Sequence, residues 1–468
     1  MAYLDPDEAA TIAHGHWAAG RPSSRLSSFA IDTRALQPGE TFVALKSDRA
    51  DGHAFLDKAF QYKAVAALVE KPVPDVPIPQ LVVQDSLEAL QSLARDWRSR
   101  FRSPVMGVTG SVGKTTVKEM LGAVLGSLWF RTRGNYNNHI GVPLSLLELD
   151  PRCHGGAILE AGINRGGEMS LLADMIQPGM AIVTAIEPAH LEQLGDLDGV
   201  AREKAVLAKS VKSGGDVFIP ASLLKYEAFR EIPSTIRVHA IAIDDEQVNP
   251  AGADLENVSI YRYNWTETGK HRGMGELRSS SSMTAEAFGL RAGSPGMISN
   301  LALVVHVALT LGVPEYTIRS RLEAWRPYRQ RGELMRKGRT LFYIDCYNAN
   351  PGSMLDSSQR FSTLFPDHEH LYVVGCMNEL GSDTVRWHQD TARKFTIKQG
   401  SSVYLVGDQS EALAAGFREQ GFPADRVMIV EDREFLKEMI STFDGAVFIK
   451  GSRGLGLEEL LPEGGQPC

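Results

Sequence analysis

The chain has 468 residues, of which 43% are hydrophobic and 23% are charged, and its formal net charge is -8. This length exceeds what one ordinary hydrophobic core supports and predicts about three domains. The acidic balance excludes a general attraction to nucleic acid or to an acidic membrane as the main activity, so an anionic ligand must be bound by a local cluster of positive charge.

The N-terminal residues 1–17 are polar and acidic, and they lack the basic start and apolar centre of an export signal. The most apolar run, residues 301–313, is interrupted by His306, which disfavours a membrane span. The four cysteines are scattered without the paired spacing of metal ligands: Cys153, Cys346, Cys376 and Cys468. We therefore expect a cytoplasmic protein without membrane insertion or disulfides.

The first segment, residues 1–84, predicts a small α/β domain. Two short strand-like runs, at 41–45 and 64–69, lie on either side of a polar turn at 47–52. From Ser86 a helical pattern leads into the next segment, so the first domain boundary is expected just before it.

Residues 108–116 read Val-Thr-Gly-Ser-Val-Gly-Lys-Thr-Thr. An apolar run at 104–108 leads into them, the glycines permit a tight turn, and apolar residues then recur at helical spacing: Val117, Met120, Leu121, Val124, Leu125 and Leu128. In such a strand-loop-helix unit, backbone amides and the helix N-terminus bind phosphates. Lys114 would reach the outer phosphates, and the Thr115 hydroxyl would bind magnesium. The motif predicts a nucleotide site at Thr109, Gly110, Ser111, Val112, Gly113, Lys114, Thr115 and Thr116.

The rest of the second segment, residues 85–326, alternates apolar strands with helical stretches. Runs at 156–159 and 180–186 are typical strands of a mostly parallel sheet. Residues 244–292 are rich in glycine, serine, asparagine and charge, which indicates an insertion of hairpins or loops rather than core. The segment predicts a P-loop NTPase-like central domain.

The third segment, residues 327–468, restarts the alternation. Its strand-like runs lie at 340–344, 370–374, 402–406 and 446–449, with helical patterns between them. This pattern predicts a Rossmann-like domain. The complete chain is therefore expected to be an α/β protein of three domains.

Two candidate metal ligands follow predicted strands of the central segment. Glu160 comes directly after the 156–159 run, and His190 follows the 180–186 run. Ligands of open parallel sheets gather beyond the carboxyl ends of the strands, so both positions suit a magnesium site beside the phosphate loop. Either residue alone would more often be a cap or a surface group.

Lys204 occupies an unusual position for a charged side chain. On a predicted helix at 199–213, Val200, Leu207 and Val211 define an apolar stripe, and Lys204 lies on the same stripe. Burial favours the neutral amine, which can react with CO2 to give a carbamate, an anion suited to magnesium. The alternative is a side chain that extends along the apolar surface to water, and the pattern leaves both open.

Asp345 and Arg331 are the best candidates in the third segment for reaching the nucleotide. Asp345 ends the first predicted strand there and precedes Cys-Tyr-Asn-Ala-Asn-Pro at 346–351. Closure of the domains would bring both residues to the phosphate loop. Each also reads as an ordinary cap or turn residue, because Asp, Asn and Pro are common in turns.

These motifs together resemble the Mur ligase family over nearly the whole chain. The matching motifs are Ile31-Asp32-Thr33-Arg34, Asp51-Gly52-His53, the phosphate loop at 109–116, Gly134-Asn135-Tyr136-Asn137-Asn138, Gly141-Val142-Pro143, Glu160-Ala161-Gly162, His190-Leu191-Glu192, Lys204, Asp345, Tyr347-Asn348-Ala349-Asn350-Pro351, Glu379-Leu380-Gly381 and Lys450-Gly451-Ser452-Arg453. The resemblance implies an ATP-dependent amide ligase of peptidoglycan synthesis. The Tyr-Asn-Ala-Asn-Pro run and the first-segment motifs favour the branch that adds D-Ala-D-Ala to UDP-N-acetylmuramoyl-tripeptide through an acyl phosphate.

The resemblance also implies a role for each segment and residue. Residues 1–84 would bind the UDP-substrate, 85–326 would bind ATP and two Mg2+ ions, and 327–468 would close the site of a monomer that acts on small molecules. The implied catalytic residues are Lys114, Glu160, His190 and Lys204. The implied metal ligands are Thr115 and Glu160 for one ion, and His190 and carbamylated Lys204 for the other. The remaining implied contacts are Thr33 and Arg34 to the UDP moiety, Asn300 to adenine, Arg331 and Asp345 to the nucleotide, and Asn137, Asn138, Tyr347, Asn348 and Asn350 to the substrates.

The chain departs from the family pattern at several positions. Gly296-Met297 stand where the family usually has His-Asn, Val112 replaces a frequent Asn, Cys376 replaces a frequent Asp, and residues 219–222 lack the usual Asn-Ala-Asp. These departures bear on base selectivity and acceptor preference rather than on the phosphate chemistry.

Two further functions stay open from the sequence. A sister Mur ligase or a folate polyglutamylating enzyme would share the ATP core and use another amine, although the Asp-Asn-Pro-Arg segment expected of the diaminopimelate-adding sister is absent from the sequence. A degenerate ligase that binds ATP as a scaffold is suggested by the substitutions at Gly296 and Cys376. Product analysis with alternative amines separates these functions.

Overall fold

A computed structural model describes residues 3–18, 20–48, 50–248, 255–269, 272–279, 287–291, 294–462 and 464–467. These residues form three sheets that follow one another along the chain. All three sheets are mainly parallel, and helices connect their strands. The α/β class with three successive units, expected from the sequence, is confirmed.

The first sheet has five strands: β1 (His16–Ala18), β2 (Phe29–Ala30), β3 (Thr41–Val43), β4 (Ala66–Val69) and β5 (Gln80–Val82). Their order is β1-β5-β4-β3-β2, and only β1 runs antiparallel to its neighbour. The helices are α1 (Pro6–Ile12), α2 (Leu56–Gln61) and α3 (Ser86–Arg100). The strands predicted at 41–45 and 64–69 are present, each shortened at one end.

The second sheet has nine strands: β6 (Val105–Thr109), β7 (Trp129–Arg131), β8 (Gly156–Glu160), β9 (Met180–Val183), β10 (Asp216–Pro220), β11 (Arg237–Ile243), β12 (Val258–Gly269), β13 (Arg272–Ser279) and β14 (Ala287–Arg291). The associated helices are α4 (Lys114–Leu125), α5 (Gly141–Leu147), α6 (Glu168–Ile176), α7 (Leu191–Leu194), α8 (Leu197–Lys209), α9 (Glu227–Arg230), α10 (Pro295–Thr310) and α11 (Glu315–Ala324). The strand order is β14-β13-β12-β11-β10-β9-β6-β8-β7, parallel except at the hairpins of β12, β13 and β14.

The third sheet has seven strands: β15 (Glu333–Lys337), β16 (Thr340–Ile344), β17 (His370–Gly375), β18 (Ser402–Val406), β19 (Val427–Ile429), β20 (Ala446–Lys450) and β21 (Gln466–Pro467). Its helices are α12 (Pro351–Leu364), α13 (Thr384–Lys394), α14 (Ser410–Glu419) and α15 (Arg433–Thr442). The order is β19-β18-β17-β20-β16-β15-β21, and the strands from β19 to β16 are parallel. All four strands predicted in this segment are present.

Two sequence expectations about packing were wrong. Residues 244–292 were expected to form an insertion of hairpins or loops outside the core, but β12 pairs in parallel with β11, and the buried Tyr263 and Leu277 join the core around α10. Leu128 was placed on the helix after the phosphate loop, yet α4 ends at Leu125, Gly126 follows with φ 85°, and Leu128 is 66% exposed. A glycine in the left-handed region stops the helix before its periodic pattern ends.

Cys153 is exposed, Cys346 and Cys376 are buried, and all three are free thiols. Cys468, the fourth cysteine of the sequence, lies outside the described residues. Across the described ranges, no helix has both the length and the hydrophobicity that a membrane crossing requires.

His306, which interrupts the apolar run, belongs to a buried hydrogen-bonded chain. Its Nε2 lies 2.9 Å from Nδ1 of His239, and Nε2 of His239 lies 2.9 Å from the Asp216 carboxylate, which also pairs with Arg237. Burial lowers the pKa of His306 to about 3 and also lowers the pKa of His239. Both imidazoles are therefore neutral at pH 7, and these bonds join β10 and β11 to α10.

Acidification is expected to destabilise the fold through His306. Between the folded pKa of about 3 and the unfolded value of about 6.5, the unfolded chain binds more protons than the folded chain. The free energy of unfolding therefore decreases by about 2 kcal/mol when the pH is lowered from 7 to 5. Chemical denaturation followed by tryptophan fluorescence at both pH values measures this loss. His306→Gln should reduce it, whereas the same change at the exposed His368 should not. Equal pH sensitivity of both variants would contradict the assignment.

Candidate active site

The phosphate loop lies between β6 and α4, and its glycines allow two side chains to approach it. Gly110 and Gly113 have φ of 145° and 86°, in the left-handed region. A Cβ at Gly110 would lie 2.0 Å from Oγ1 of Thr184, and one at Gly113 would lie 2.5 Å from Oδ1 of Asn300. Only glycine therefore fits at either position, and Asn300 is placed directly against the loop.

Neighbouring backbone holds the loop in shape. The Ser111 amide donates to the Ala185 carbonyl at 2.8 Å, and its hydroxyl donates to the Glu187 carbonyl at 3.0 Å. The Glu187 amide donates back to the same hydroxyl at 3.0 Å, and the Thr184 hydroxyl donates to the Val112 carbonyl. The loop conformation is thus set by the segment after β9 before any ligand binds.

Lys114, the first residue of α4, points its ammonium back over the loop. Its Nζ donates to the Gly110 carbonyl at 2.6 Å. Burial lowers the pKa of Lys114 to about 8, Arg331 adds to this effect, and Glu160 opposes it. The ammonium remains mostly protonated at neutral pH and is available to an anion in the cavity.

Glu160 ends β8 and is 1% exposed. Its carboxylate accepts a hydrogen bond from Asn137 at 2.8 Å and from the Thr115 hydroxyl at 3.0 and 3.2 Å. Burial alone would raise the pKa of Glu160, but Lys118, Lys114 and Arg331 together hold it below its ordinary value. A buried, ionised carboxylate beside a hydroxyl is an oxygen pair suited to a hard cation.

Lys118 is a site residue that the sequence reasoning missed. It is fully buried on α4, where its Nζ donates to the carbonyls of Thr132 and Gly134 at 2.8 and 3.0 Å and lies 3.5 Å from the Glu160 carboxylate. Its spacing in the sequence could have indicated this role, because Lys118 lies one helical turn after Lys114 and therefore on the same helix face. It contributes positive charge that keeps Glu160 ionised.

Lys204 is 1% exposed on α8, so its predicted burial is confirmed. Burial lowers the pKa of Lys204 well below its ordinary value, and the Lys114 ammonium lowers it further. Among the described residues, Nζ has no hydrogen-bond partner and no carboxylate oxygen within 4.0 Å. Burial therefore favours the neutral amine, and with 1% exposure the side chain does not extend to water as the alternative required.

His190 links the second and third sheets. It precedes α7 with φ 57°, and its Nδ1 lies 2.5 Å from a carboxylate oxygen of Glu379, which follows β17. The Leu191 amide also donates to the Glu379 carbonyl at 3.0 Å. The hydrogen bond from His190 lowers the pKa of Glu379. One ring nitrogen is thus occupied by the third unit, and the other remains for a ligand.

Arg331 and Asp345 of the third unit line the same cavity as the phosphate loop. The Arg331 guanidinium carbon lies 4.0 Å from the centre of the Tyr347 ring, and its Nε is shielded from solvent without a hydrogen-bond partner in the described structure. Asp345 accepts from Nζ of Lys450 at 2.7 Å and from the Ser357 hydroxyl. Arg331 adds positive charge at the loop, whereas the charge of Asp345 is balanced by Lys450.

One cavity of about 990 Å3 lies between the second and third units. The predicted site residues that line it are Ser111, Val112, Gly113, Lys114, Thr116, Asn137, Asn138, Glu160, His190, Asn300, Arg331, Asp345, Tyr347, Asn348 and Asn350. Its lining does not include six others: Thr33, Arg34, Thr109, Gly110, Thr115 and Lys204. The tertiary structure therefore brings together most of the residues that the motifs selected.

The residues outside this cavity have clear positions. Thr33 is 8% exposed on the first unit, and the neighbouring Arg34 is exposed and pairs with Asp32 at 2.7 Å. Thr109 is fully buried at the end of β6, and its hydroxyl has no partner among the described residues. The Thr109 side chain therefore lies in the interior and does not line the cavity.

Two predicted substrate contacts serve as helix caps. The Asn138 side-chain oxygen accepts from the amides of Ile140 and Gly141 at the start of α5. Asn350 forms a reciprocal capping box with Ser353 at the start of α12. Both side chains are therefore held rigidly at the cavity wall, and a substrate would meet their remaining amide groups.

Comparison with known proteins identifies the family. The family model described as Mur ligase middle domain matches residues 108–284, and the one described as Mur ligase, glutamate ligase domain matches residues 330–453. The UDP-N-acetylmuramoyl-tripeptide--D-alanyl-D-alanine ligase of Bacillus subtilis (strain 168) is 30% identical over 457 residues, which cover 94% of this chain and 93% of that protein. The chain belongs to the Mur ligase family. It is an ATP-dependent, ADP-forming ligase.

Other relatives of this Mur ligase agree in sequence and in fold. The enzyme of the same name from Escherichia coli (strain K12) is 30% identical, with 93% of each chain covered. The crystal structure of MurF from Acinetobacter baumannii superposes with a TM-score of 0.80 at 27% identity, covering 98% of each chain. MurF from Thermotoga maritima, solved in complex with ADP, gives 0.75 at 25% identity and covers 92% of this chain and 96% of that one. The three-unit fold of this Mur ligase is therefore shared with MurF structures over almost its full length.

Within the described residues of this Mur ligase, no group of three or more His, Cys, Asp or Glu side chains is arranged to hold a metal ion. Magnesium is commonly held by one or two carboxylates together with substrate phosphates and water, so it needs no such cage. Thr115 and Glu160 offer a hydroxyl and an ionised carboxylate that contact one another. These residues fit a magnesium ion that arrives with a nucleotide.

Proposed function

We propose that this Mur ligase joins D-Ala-D-Ala to UDP-N-acetylmuramoyl-tripeptide, with hydrolysis of ATP to ADP and phosphate, in the synthesis of peptidoglycan precursors. Relatives with this printed name match the chain over most of its length. The observation that carries the proposal is the cavity in which the phosphate loop faces Arg331 and Asp345 of the third unit. That geometry suits a nucleotide held between two domains.

Each of the three segments has one part in this reaction. Residues 1–84, with Thr33 and Arg34, bind the UDP moiety, residues 85–326 bind ATP, and residues 327–468 close the site. The exposed Arg34 guanidinium supports the first assignment, because its second face remains accessible to a diphosphate. The tripeptide and the dipeptide are contacted by the cavity residues Asn137, Asn138, Tyr347, Asn348 and Asn350.

The nucleotide binds along the phosphate loop, Thr109 to Thr116. Asn300, which lies against Gly113, contacts the base, and Arg331 and Asp345 contact the nucleotide from the third unit. The positive charges of Lys114 and Arg331 are close enough that both act on the pKa of Glu160. A triphosphate would therefore enter a region whose potential favours it.

Two magnesium ions would be held here, one by Thr115 and Glu160 and the other by His190 and Lys204. When bound, they would neutralise negative charge on the phosphates during transfer. The lowered pKa of the buried Lys204 supports its conversion to a carbamate by CO2, since burial favours the neutral amine, which is the form that reacts. The carbamate would also provide an anionic oxygen for magnesium, which the neutral amine does not offer.

The chemistry requires activation of a carboxylate. A carboxylate oxygen of the tripeptide attacks the terminal phosphorus of ATP, the bond to the bridging oxygen breaks, and ADP leaves with that electron pair. The dipeptide amine then attacks the acyl carbon, phosphate departs, and the amine proton goes to solvent. Lys114 stabilises the charge of the transferring group, and an α-amino group with a pKa of about 8 needs no strong base.

Both proposed substrates and ATP are small molecules of the cytoplasm, so we place the reaction there. One chain lines the whole cavity, so a monomer would suffice for activity. Light scattering during turnover would measure the oligomeric state.

Replacing Thr115 by alanine is expected to raise the Mg2+ concentration needed for half-maximal activity. The change removes an oxygen next to the Glu160 carboxylate, and even outer groups of metal sites contribute about 10–100-fold in affinity. Titration of activity against Mg2+ measures the effect. Thr115→Ser keeps the hydroxyl and should behave like the wild type, and an unchanged Mg2+ dependence of the alanine variant would remove Thr115 from the site.

The decisive experiment supplies ATP, UDP-N-acetylmuramoyl-tripeptide and D-Ala-D-Ala and measures both phosphate release and the mass of the product. Ligation of the dipeptide supports the proposal. Ligation of diaminopimelate or glutamate instead would identify a sister ligase or a folate-type enzyme. ATP binding without turnover of any amine would identify a scaffold protein.

A further inference from the structure

The departure from the family pattern at Gly296 has a structural counterpart in the third unit. Gly296 lies in the first turn of α10, and the Asp356 carboxylate of α12 reaches this turn. One carboxylate oxygen accepts from the Ser294 hydroxyl at 2.6 Å, and the other accepts from the Gly296 amide at 2.7 Å. A helix of one unit is thus capped by an acid from another.

Such a cap stabilises the start of α10 for two reasons. The first amides of a helix have no partner inside the helix, and the helix dipole favours negative charge at that end. The local cap is weak, because the Met297 amide donates to the Ser294 hydroxyl only at 3.4 Å. Asp356 therefore supplies the strong hydrogen bonds at this end of α10.

Glycine at 296 is a steric requirement of this contact. A Cβ at that position would lie 2.9 Å from one Asp356 carboxylate oxygen and 3.0 Å from the other. Burial raises the pKa of Asp356. The hydrogen bonds from Ser294 and Gly296 and the charge of Arg360 oppose this increase. Residues 296 and 356 consequently form a complementary pair, in which the missing side chain makes room for the acid.

The capped helix also carries a nucleotide contact. Asn300 lies one helical turn after Gly296, lines the cavity and presses against Gly113 of the phosphate loop. The position of the first turns of α10 decides where Asn300 meets the loop. A shift of this end of the helix would therefore change the shape of the nucleotide site.

We propose that Asp356 is a positioning residue for nucleotide binding, which caps α10 from the third unit and thereby holds Asn300 against the phosphate loop. This inference rests on ATP binding in the proposed function. Through the contact between Gly296 and Asp356, closure of the third unit would determine the shape of the nucleotide site.

Binding of a non-hydrolysable ATP analogue with Mg2+, measured by calorimetry, tests the proposal. Asp356→Ala should weaken binding about tenfold, the scale of hydrogen bonds to a charged group. Asp356→Asn should recover most of the affinity, because its amide oxygen can accept from Gly296 while the Ser294 hydroxyl accepts in turn. The exposed Glu411→Gln, another loss of one acid in the third unit, should bind like the wild type.

A double-mutant cycle gives the sharpest result. Gly296→Ala alone should weaken binding of the ATP analogue, because the new methyl group displaces the Asp356 carboxylate. In the Asp356→Ala background the same change should have little further effect, because the carboxylate is already absent. The KM for the UDP-linked substrate should stay close to wild type in every variant, and the unfolding temperature of Asp356→Ala should fall by no more than a few degrees, the scale of one lost helix cap. Additive effects of the two changes, or a matching loss of affinity for the UDP-linked substrate, would indicate general destabilisation and overturn the proposal.

The outcome for the wild type separates this inference from the proposed function. A wild type that fails to bind the analogue would overturn the ATP site and the inference together. A wild type that binds, with an Asp356→Ala variant of equal affinity, would overturn the inference alone.

Discussion

Replacing Lys204 by alanine is expected to reduce the ligation rate by about a thousandfold or more, because a metal ligand supplies several kcal/mol to the transition state. The side chain is buried on α8 without a hydrogen-bond partner among the described residues, and its lowered pKa favours the neutral amine that the proposed carbamate requires. The fold should persist, since the variant removes an uncompensated polar group from the core. Phosphate release with both substrates measures the rate, and circular dichroism checks the fold.

The matched control for this prediction lies on the same helix. Lys209 pairs with Glu231 at 2.8 Å near the surface, and Lys209→Ala should retain activity. Removal of CO2 from the buffer should lower wild-type activity, and bicarbonate should restore it. A folded Lys204→Ala protein with normal turnover would refute the proposed metal-bridging role.

Replacing Lys114 by methionine is expected to lower kcat/KM for ATP by about 10²–10³-fold, as removal of one preorganised donor from a transferring group does. The volume is nearly kept, so the loop should remain folded while the ammonium over Gly110 is lost. The effect should be largest on kcat if Lys114 acts mainly on the transferring phosphate. Initial rates at varied ATP concentration separate kcat from KM.

Lys394→Met provides the control for Lys114, because Lys394 lines the same cavity from α13 but is exposed. Loss of one positive charge at that position should change kcat/KM for ATP little. Equal losses in the two variants would mean that the cavity needs only its overall charge, and the specific role of Lys114 would be wrong.

Local sequence patterns were sufficient for much of the fold. The alternation of apolar runs and helical stretches predicted β6, β8, β16 and β18 to within about a residue, because buried parallel strands are short, apolar and bounded by turns. The same patterns failed at 258–291, where the core contact of Tyr263 depends on pairing with β11. Edge hairpins with polar faces look like loops until their partner strand is known.

The site was predictable where the chemistry belongs to one motif. The phosphate loop, Glu160 and the burial of Lys204 follow from residue types at short spacing. Lys118, the pairing of His190 with Glu379, and the Asp356 contact were not predicted. Each of these joins residues that are distant in sequence or hidden among ordinary helix positions.

The phosphate loop, the α/β architecture and the family could be predicted without a structure, because these depend on local backbone preferences and on motifs of a few residues. Which charges meet depends on the tertiary fold, since Arg331 and Asp345 of the third unit line one cavity with the phosphate loop of the second, and Glu379 of the third unit pairs with His190 of the second. Electrostatic energy depends on distances through space and on burial, and neither is written in the order of the residues.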